Sequence, residues 1–329
     1  MSHPSSRLLF GLIPWYGFLI VFGIVLAVFI SGREARRLNL PEDTILDLAL
    51  LVLPIGILGA RIYYVLFSLP FFLENPIRIF YIWEGGLAIY GGLIFGFVTI
   101  LLFCRRRKIP VLMMLDLLVP GVALAQSLGR WGNYFNQEAY GFPLSPDSVF
   151  AFFPLAVQIS SESGLVWHAA TFFYESLWDF CIFFFLLWGR RRYFRRQGDV
   201  FLFYLLLYGS GRLLVEHCRT DSLYLGSSIR ISQLFSVLLT LVVYSVFAFR
   251  VFSRPRQKLF LPVLVTCCTL IMGILVIGFC FSTGFIGELS LLQQLLFLSF
   301  YSFLIILNSL LLYHCFSEED VVYANHPAD

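Results

Sequence analysis

The sequence contains nine apolar runs, each long enough to cross a membrane as a helix, and these runs constrain the fold more than any other feature. A hydrocarbon core about 30 Å thick requires roughly 20 apolar residues in helical conformation. The runs occupy residues 10–30, 45–68, 86–104, 111–129, 169–188, 200–217, 231–249, 259–282 and 289–313. Only 13% of the residues are charged, whereas an ordinary soluble domain has about 25%. The sequence therefore predicts an all-α polytopic membrane protein.

The positions of the basic residues predict the orientation of these runs. Sixteen of the 23 lysines and arginines lie in four connections, which are every second connection along the chain. They are Arg33, Arg36 and Arg37; Arg105, Arg106, Arg107 and Lys108; Arg190, Arg191, Arg192, Arg195 and Arg196; and Arg250, Arg254, Arg256 and Lys258. The positive-inside rule places them in the cytoplasm, with the N-terminus outside and the C-terminus inside. The net charge of +3 thus reflects topology, and no nucleic-acid partner is expected.

The cysteines do not indicate a metal site or a disulfide framework. Most of the seven lie inside apolar runs, without CxxC or Cys/His spacing. They are Cys104, Cys181, Cys218, Cys267, Cys268, Cys280 and Cys315. We interpret them as small packing residues and expect neither a metal nor a cofactor.

Seven polar residues interrupt the apolar pattern near the predicted outer face. They are Tyr16, Arg61, Tyr90, Arg130, Glu175, Arg212 and Glu216. Polar groups within a bilayer are costly, so they usually face a protein interior and are functional. Each has a simpler explanation on its own: Arg61 could extend to the interface, and Arg212 with Glu216 could form a helix ion pair. Their common depth favours a shared site.

The stretch "GRWGNYFNQEAYG" at residues 129–141 follows one of these runs and is rich in polar groups. Arg130 offers a planar fork of donors that suits a phosphate. Asn133 and Asn136 add amides, and Glu138 adds a carboxylate. With Arg212 at the same predicted depth, the pattern predicts a site for an anionic headgroup.

The same stretch resembles the signature of the prolipoprotein diacylglyceryl transferases, which is Gly-Arg-x-Gly-Asn, an aromatic residue, Asn-x-Glu and a closing Gly. Further stretches agree with the family in order and spacing. They are "PWYG" at 14–17, "GARIYYVLF" at 59–67, "IWEGGLAIYGGLI" at 82–94, "DLLVPGVALAQSLGR" at 116–130 and "YGSGRLLVEHCR" at 208–219. The resemblance covers roughly residues 8–252, or seven spans.

This resemblance implies a reaction. Such enzymes move the diacylglyceryl group of phosphatidylglycerol onto the lipobox cysteine thiol of a secreted prolipoprotein and release glycerol phosphate. It implies residence in a bacterial cell membrane, with phosphatidylglycerol and prolipoprotein peptides as partners. The oligomeric state is not indicated.

The residues and the resemblance together define the candidate site. The expected catalytic residues are Arg130, Arg212, Glu138, Glu216 and Tyr90. The expected phosphatidylglycerol-binding residues are Arg130, Asn133, Asn136, Gly141, Tyr16, Arg61 and Gln126.

Two departures from the family pattern concern histidines. Tyr90 stands where the best known members carry a histidine, so Glu138 and Glu216 become candidates for the base. "HAATFFYES" at 168–176 lacks the family's proline, and we interpret His168 as a loop residue.

The sequence divides into a seven-span transferase core, residues 1–257, and a two-span extension with a short cytoplasmic tail, residues 258–329. We expect the extension to serve in packing or partner contact.

Two other functional classes share features with this sequence. A transporter, or a lipid-binding scaffold with an outer-leaflet anionic site, would also carry buried arginines, although transporters place such groups near the bilayer midplane. An intramembrane serine hydrolase is suggested by "GSG" at 209–211, but the GxSxG frame is missing.

The predicted topology can be tested by cysteine labelling. Cysteines introduced at positions 107 and 194 should react with an impermeant reagent only from the cytoplasmic side, and one at position 147 only from outside. The unsubstituted chain controls for its own seven cysteines. Cytoplasmic labelling of position 147 would overturn the common depth of the polar residues.

Overall fold

A computed structural model describes residues 7–161, 164–222, 224–225, 229–252, 260–281 and 291–325. Helices dominate these ranges. They are α1 (Trp15–Arg37), α2 (Thr44–Phe67), α3 (Leu69–Glu74), α4 (Ile89–Arg107), α5 (Val111–Asn136), α6 (Thr171–Arg192), α7 (Asp199–Cys218), α8 (Ile231–Phe252), α9 (Phe260–Phe281) and α10 (Leu291–Asn325). Three short antiparallel hairpins join β1 (Leu8–Leu9) to β2 (Ile13–Pro14), β3 (Ala156–Ser161) to β4 (Gly164–Ala169), and β5 (Tyr224–Leu225) to β6 (Ile229–Arg230).

Seven helices of the described chain are long and apolar enough to cross a membrane. They are α1, α2, α4, α5, α6, α8 and residues Leu291–His314 of α10. The prediction of an all-α multi-pass membrane protein is confirmed at this level.

The other two predicted spans, residues 200–217 and 259–282, coincide with α7 and α9 but are not among the seven. Arg212, Glu216 and His217 lower the mean hydropathy of α7. The apolar stretch found in α9, Pro262–Val276, is shorter than a membrane span. The connections on either side of α9, residues 253–259 and 282–290, lie outside the described residues, and so do Arg254, Arg256 and Lys258.

Two compact units form, one from residues 24–122 and the other from residues 1–23 together with 123–329. In the first unit, glycines allow α2 and α4 to approach closely. A Cβ atom on Gly91 would collide with the carbonyl oxygen of Gly59 and with Cβ of Tyr63. Atoms of α2 thus occupy the space that a side chain at position 91 would need.

The second unit contains a hairpin in residues 130–168, the segment between the fourth and fifth predicted spans. Helix α5 runs on to Asn136, and β3 pairs with β4 from Ala156↔Ala169 to Ser161↔Gly164. The hairpin is stabilised by an apolar cluster that also includes aromatic residues of α5 and α6. Its members are Val157, Ile159, Ala170 and Phe172, with Trp131, Tyr134, Tyr140, Phe153 and Phe173 packed against them.

The close approach of α2 and α4 predicts the effect of adding one methyl group. Gly91→Ala should lower the stability by about 1–3 kcal/mol, because the backbone of α2 cannot yield as a flexible side chain would. Gly92→Ala is the matched control, since its Cβ would lie 3.4 Å from the nearest atom, the Gly56 oxygen. Thermal unfolding in detergent measures both. Equal melting temperatures would contradict the packing argument.

Candidate active site

One buried carboxylate, that of Glu175, joins two arginines in the second unit. Its Oε1 lies 2.5 Å from Nη2 of Arg130. Nη1 of Arg212 lies 3.3 Å from Oε1 and 3.1 Å from Oε2. Glu175 itself is 3% exposed, so this negative charge is compensated by the two guanidinium groups rather than by water. The structure thus brings together two residues that the sequence predicted as phosphate ligands.

The three helices place these groups at a common end. Arg130 lies near the C-terminal end of α5, Glu175 near the start of α6, and Arg212 near the end of α7. Asp179 lies one turn further along α6, is 1% exposed, and has no hydrogen-bond partner for either carboxylate oxygen within the described ranges. Two buried carboxyl groups, those of Glu175 and Asp179, therefore lie on the α6 side of the arginines.

Arg212 contacts a second carboxylate on its own helix. Its Nη2 lies 2.7 Å from Oε2 of Glu216, four residues further on. The helix ion pair considered as a simpler explanation therefore exists, but Arg212 also contacts Glu175 on α6. Removing one partner from a buried pair typically costs about 3–5 kcal/mol, because the other charge remains buried.

The site face of α7 carries four polar residues at intervals of four. The Tyr204 hydroxyl donates to Oε1 of Gln126 at 2.8 Å. The Tyr208 side chain lies next to the Arg130 guanidinium and interacts with it electrostatically. Arg212 and Glu216 continue the row. Residues four apart lie on one side of a helix. This spacing could have identified Tyr208, which is not among the predicted site residues. Glu175 was identified by depth but not assigned a role.

A second polar cluster forms where α5 ends. Nδ2 of Asn133 donates to Oε1 of Glu138 at 3.0 Å, and Nδ2 of Asn136 donates to the same oxygen at 3.2 Å. Glu138 is exposed. Three predicted residues are thus brought together, with both amides directed to one carboxylate.

Two predicted ligands occupy packing positions. The Tyr16 ring lies where a Cβ of Gly132 would be, so a glycine is required at position 132. A Cβ on Gly141 would meet the Cys218 carbonyl oxygen at 2.9 Å, and the Gly141 amide donates to Ala169 at 2.8 Å. The closing glycine of the signature therefore joins the chain after α5 to the end of α7.

Arg61 and Tyr90 belong to the first unit. Three nitrogens of the Arg61 guanidinium donate to backbone carbonyls of the connection before α4, at distances of 2.5–3.0 Å. The Tyr90 ring lies at the start of α4, 6.5 Å from the ring of Tyr63. The proposed roles of both residues in the reaction stay predictions.

His168 and Ser210, two further residues of interest in the sequence, form hydrogen bonds to nearby backbone carbonyls. His168 is not a loop residue: it lies in β4, and its Nδ1 is 2.8 Å from the Gly141 carbonyl oxygen. Ser210 is 1% exposed, and its hydroxyl donates to the Leu206 carbonyl at 2.8 Å. A buried serine engaged with its own helix is typical of close helix packing rather than of a nucleophile.

An ion pair fixes the chain just beyond α7. Nε and Nη2 of Arg219 each donate to the Asp221 carboxylate at 2.9 Å. Partial burial alone would raise the pKa of Asp221, but the hydrogen bonds and charge of Arg219 hold this pKa below its usual value. Arg219, the first member of this charged pair, lies three residues after Glu216.

The shared carboxylate predicts a large effect on stability. Glu175→Gln keeps the size of the side chain but removes the charge that both arginines contact, so the stability should fall by about 3–5 kcal/mol. Glu138→Gln is the control, because that carboxylate is exposed and paired only with neutral amides. Thermal unfolding distinguishes them, and equal melting temperatures would show that Glu175 does not hold the arginines together.

Comparison with known proteins shows which family this chain resembles. A family model described as prolipoprotein diacylglyceryl transferase matches residues 8–249. The phosphatidylglycerol--prolipoprotein diacylglyceryl transferase of Streptococcus agalactiae is 43% identical over 231 residues, which are 70% of this chain and 88% of that protein. The transferase of the same name from Lactobacillus delbrueckii subsp. bulgaricus is 42% identical over 250 residues, 75% of this chain and 90% of that protein. The chain therefore belongs to the prolipoprotein diacylglyceryl transferase family.

Proposed function

We propose that this protein transfers the diacylglyceryl group of phosphatidylglycerol to the lipobox cysteine thiol of prolipoproteins, an early step of bacterial lipoprotein maturation. The carbon–oxygen bond between the diacylglyceryl group and the phosphate breaks, and a carbon–sulfur bond forms. Glycerol phosphate leaves with the bonding electrons, and the thiol proton passes to a base. The observation that carries the proposal is the Arg130–Glu175–Arg212 cluster within a chain of this family.

The arginines suit the leaving group. A departing phosphate ester gains negative charge in the transition state, and donors fixed beforehand stabilise such charge without reorganising. Glu175 contacts one terminal nitrogen of Arg130 and one of Arg212, and each guanidinium has five N–H donors. Glu175 thus orients both groups towards a common phosphate while neutralising part of their mutual repulsion.

The proton of the thiol requires an acceptor. Glu216 is 2% exposed and paired with Arg212, which suits it to holding that arginine. Glu138 is exposed and paired with neutral amides, so it can exchange a proton with water. We assign proton acceptance to Glu138 and the positioning of Arg212 to Glu216. Tyr90, Tyr16, Arg61, Gln126 and Gly141 remain proposed contacts to phosphatidylglycerol or its surroundings.

We also propose the number and the orientation of the membrane spans. We place the chain in the bacterial cell membrane with nine spans, including α7 and α9, the N-terminus outside and the C-terminus in the cytoplasm. Helices of 20 and 22 residues extend about 30 Å at the α-helical rise, enough to cross the core. Residues 1–257 form the seven-span core and residues 258–329 the extension.

The activity is tested with purified protein, phosphatidylglycerol and a lipobox peptide. Mass spectrometry should detect a thioether-linked diacylglyceryl peptide and an equal amount of glycerol phosphate. A peptide with serine in place of the cysteine should give no product. Absence of product from folded protein would favour a transporter or a lipid-binding scaffold.

The role of Arg130 predicts the effect of a charge-conserving change. Arg130→Lys keeps the positive charge but loses the planar fork, so kcat/KM should fall by about 100-fold while the protein still inserts and folds. Arg107→Lys is the control, because Arg107 forms an exposed pair with Asp47. Near-normal turnover by Arg130→Lys would remove bidentate phosphate contact from the mechanism.

A further inference from the structure

Helix α10 packs along α7 in an antiparallel arrangement that extends over nearly the whole of α7. The Tyr313 hydroxyl donates to Oδ2 of Asp199 at 2.7 Å, and Oγ of Ser302 donates to the Ser210 carbonyl at 3.3 Å. The two contacts are eleven positions apart on α7 and eleven positions apart on α10. The two helices therefore stay side by side between these contacts.

The third contact of this series lies beside the candidate site. Oε1 of Gln294 accepts a hydrogen bond from Nε2 of His217, 2.8 Å away. Nδ1 of His217 then accepts from Nε2 of Gln233 on α8, at 3.3 Å. One tautomer, with the proton on Nε2, satisfies both contacts. The ring next to Glu216 is thus fixed from two helices.

The contacts with α10 lie on the opposite side of α7 from the arginine. Ser210 and Arg212 are two residues apart, which corresponds to about 200° around a helix. Arg212 contacts Glu175 on one side, and the Ser210 backbone is covered by α10 on the other. α10 also carries a buried stripe that includes Leu298, Tyr301, Ile305 and Leu312, each at most 1% exposed, and the Tyr301 hydroxyl in this stripe hydrogen-bonds with Thr240 on α8. Movement of α7 away from α6 is therefore opposed along its length.

We infer that Gln294 is a positioning residue for the transferase reaction, acting through His217 on the end of α7 that carries Arg212 and Glu216. The inference rests on the proposed function and extends it to α10, which lies beyond the matched residues 8–249. Gln294 fixes His217, and His217 together with Gln233 fixes the last turn of α7. The ion pair of Arg212 with Glu216 is thereby held in a fixed position relative to Glu175.

A pair of variants on α10 tests this inference. Gln294→Met keeps the length of the side chain but removes the acceptor for His217. Asn308→Leu is the matched control, because Nδ2 of Asn308 donates at 2.7 Å to Thr269 on α9 rather than to α7. Gln294→Met should lower kcat by roughly tenfold, while Asn308→Leu should change kcat less than twofold. Thermal unfolding should show similar destabilisation of both, which separates positioning from stability.

A double-mutant cycle tests the path through His217. His217→Leu should lower kcat by a similar factor, and adding Gln294→Met to it should cause little further loss. Gln294→Asn, which keeps polarity but is too short for the contact, repeats the test if the methionine variant does not fold. Equal kcat values for Gln294→Met and Asn308→Leu, or additive losses in the cycle, would overturn the inference. Failure of the unsubstituted protein to turn over would instead overturn the proposed function.

Discussion

The arrangement of the second unit depends on a single carboxylate shared by two arginines. Glu175 is nearly inaccessible to water, and its charge is compensated from α5 by Arg130 and from α7 by Arg212. Two guanidinium groups brought together without an anion between them would repel each other strongly in surroundings of low dielectric constant. The spacing of three helices at this end is thus set by electrostatics as much as by apolar packing.

The two polar clusters differ in ways that suit different tasks. The arginine cluster is buried and strongly charged, which favours stabilisation of a charge that appears during reaction. The Asn133, Asn136 and Glu138 cluster lies on the surface at the end of α5 and is held by neutral amide donors. This contrast supports the proposed division between a fixed electrostatic part and a part that exchanges protons with water.

The apolar runs predicted the helices because a membrane span is a local property of about twenty residues, and seven long apolar helices are found among the described residues. Contacts between distant residues were much less predictable. Depth identified Glu175 as polar and buried, but its bridging position depends on how α6 packs against two other helices. The β3–β4 hairpin was missed because Ala156–Ser161 lacks a strong alternating pattern, and its stability comes from aromatic residues such as Trp131 on α5. The register between α7 and α10 likewise has no local signature.

The four-residue spacing of Arg212 and Glu216 also bears on the proposed insertion of α7 into a bilayer. An uncompensated charge within a membrane-spanning helix raises the cost of insertion, by about 2.5–3.5 kcal/mol at the helix centre and by less towards its ends. Arg212 carries its counter-ion on its own helix, so the span proposed for α7 would insert with this pair already neutralised. Arg130 has its partner on the following helix, so its charge is compensated only once α6 is in place. The same positive charge thus meets two different insertion barriers, set by which helix supplies its partner.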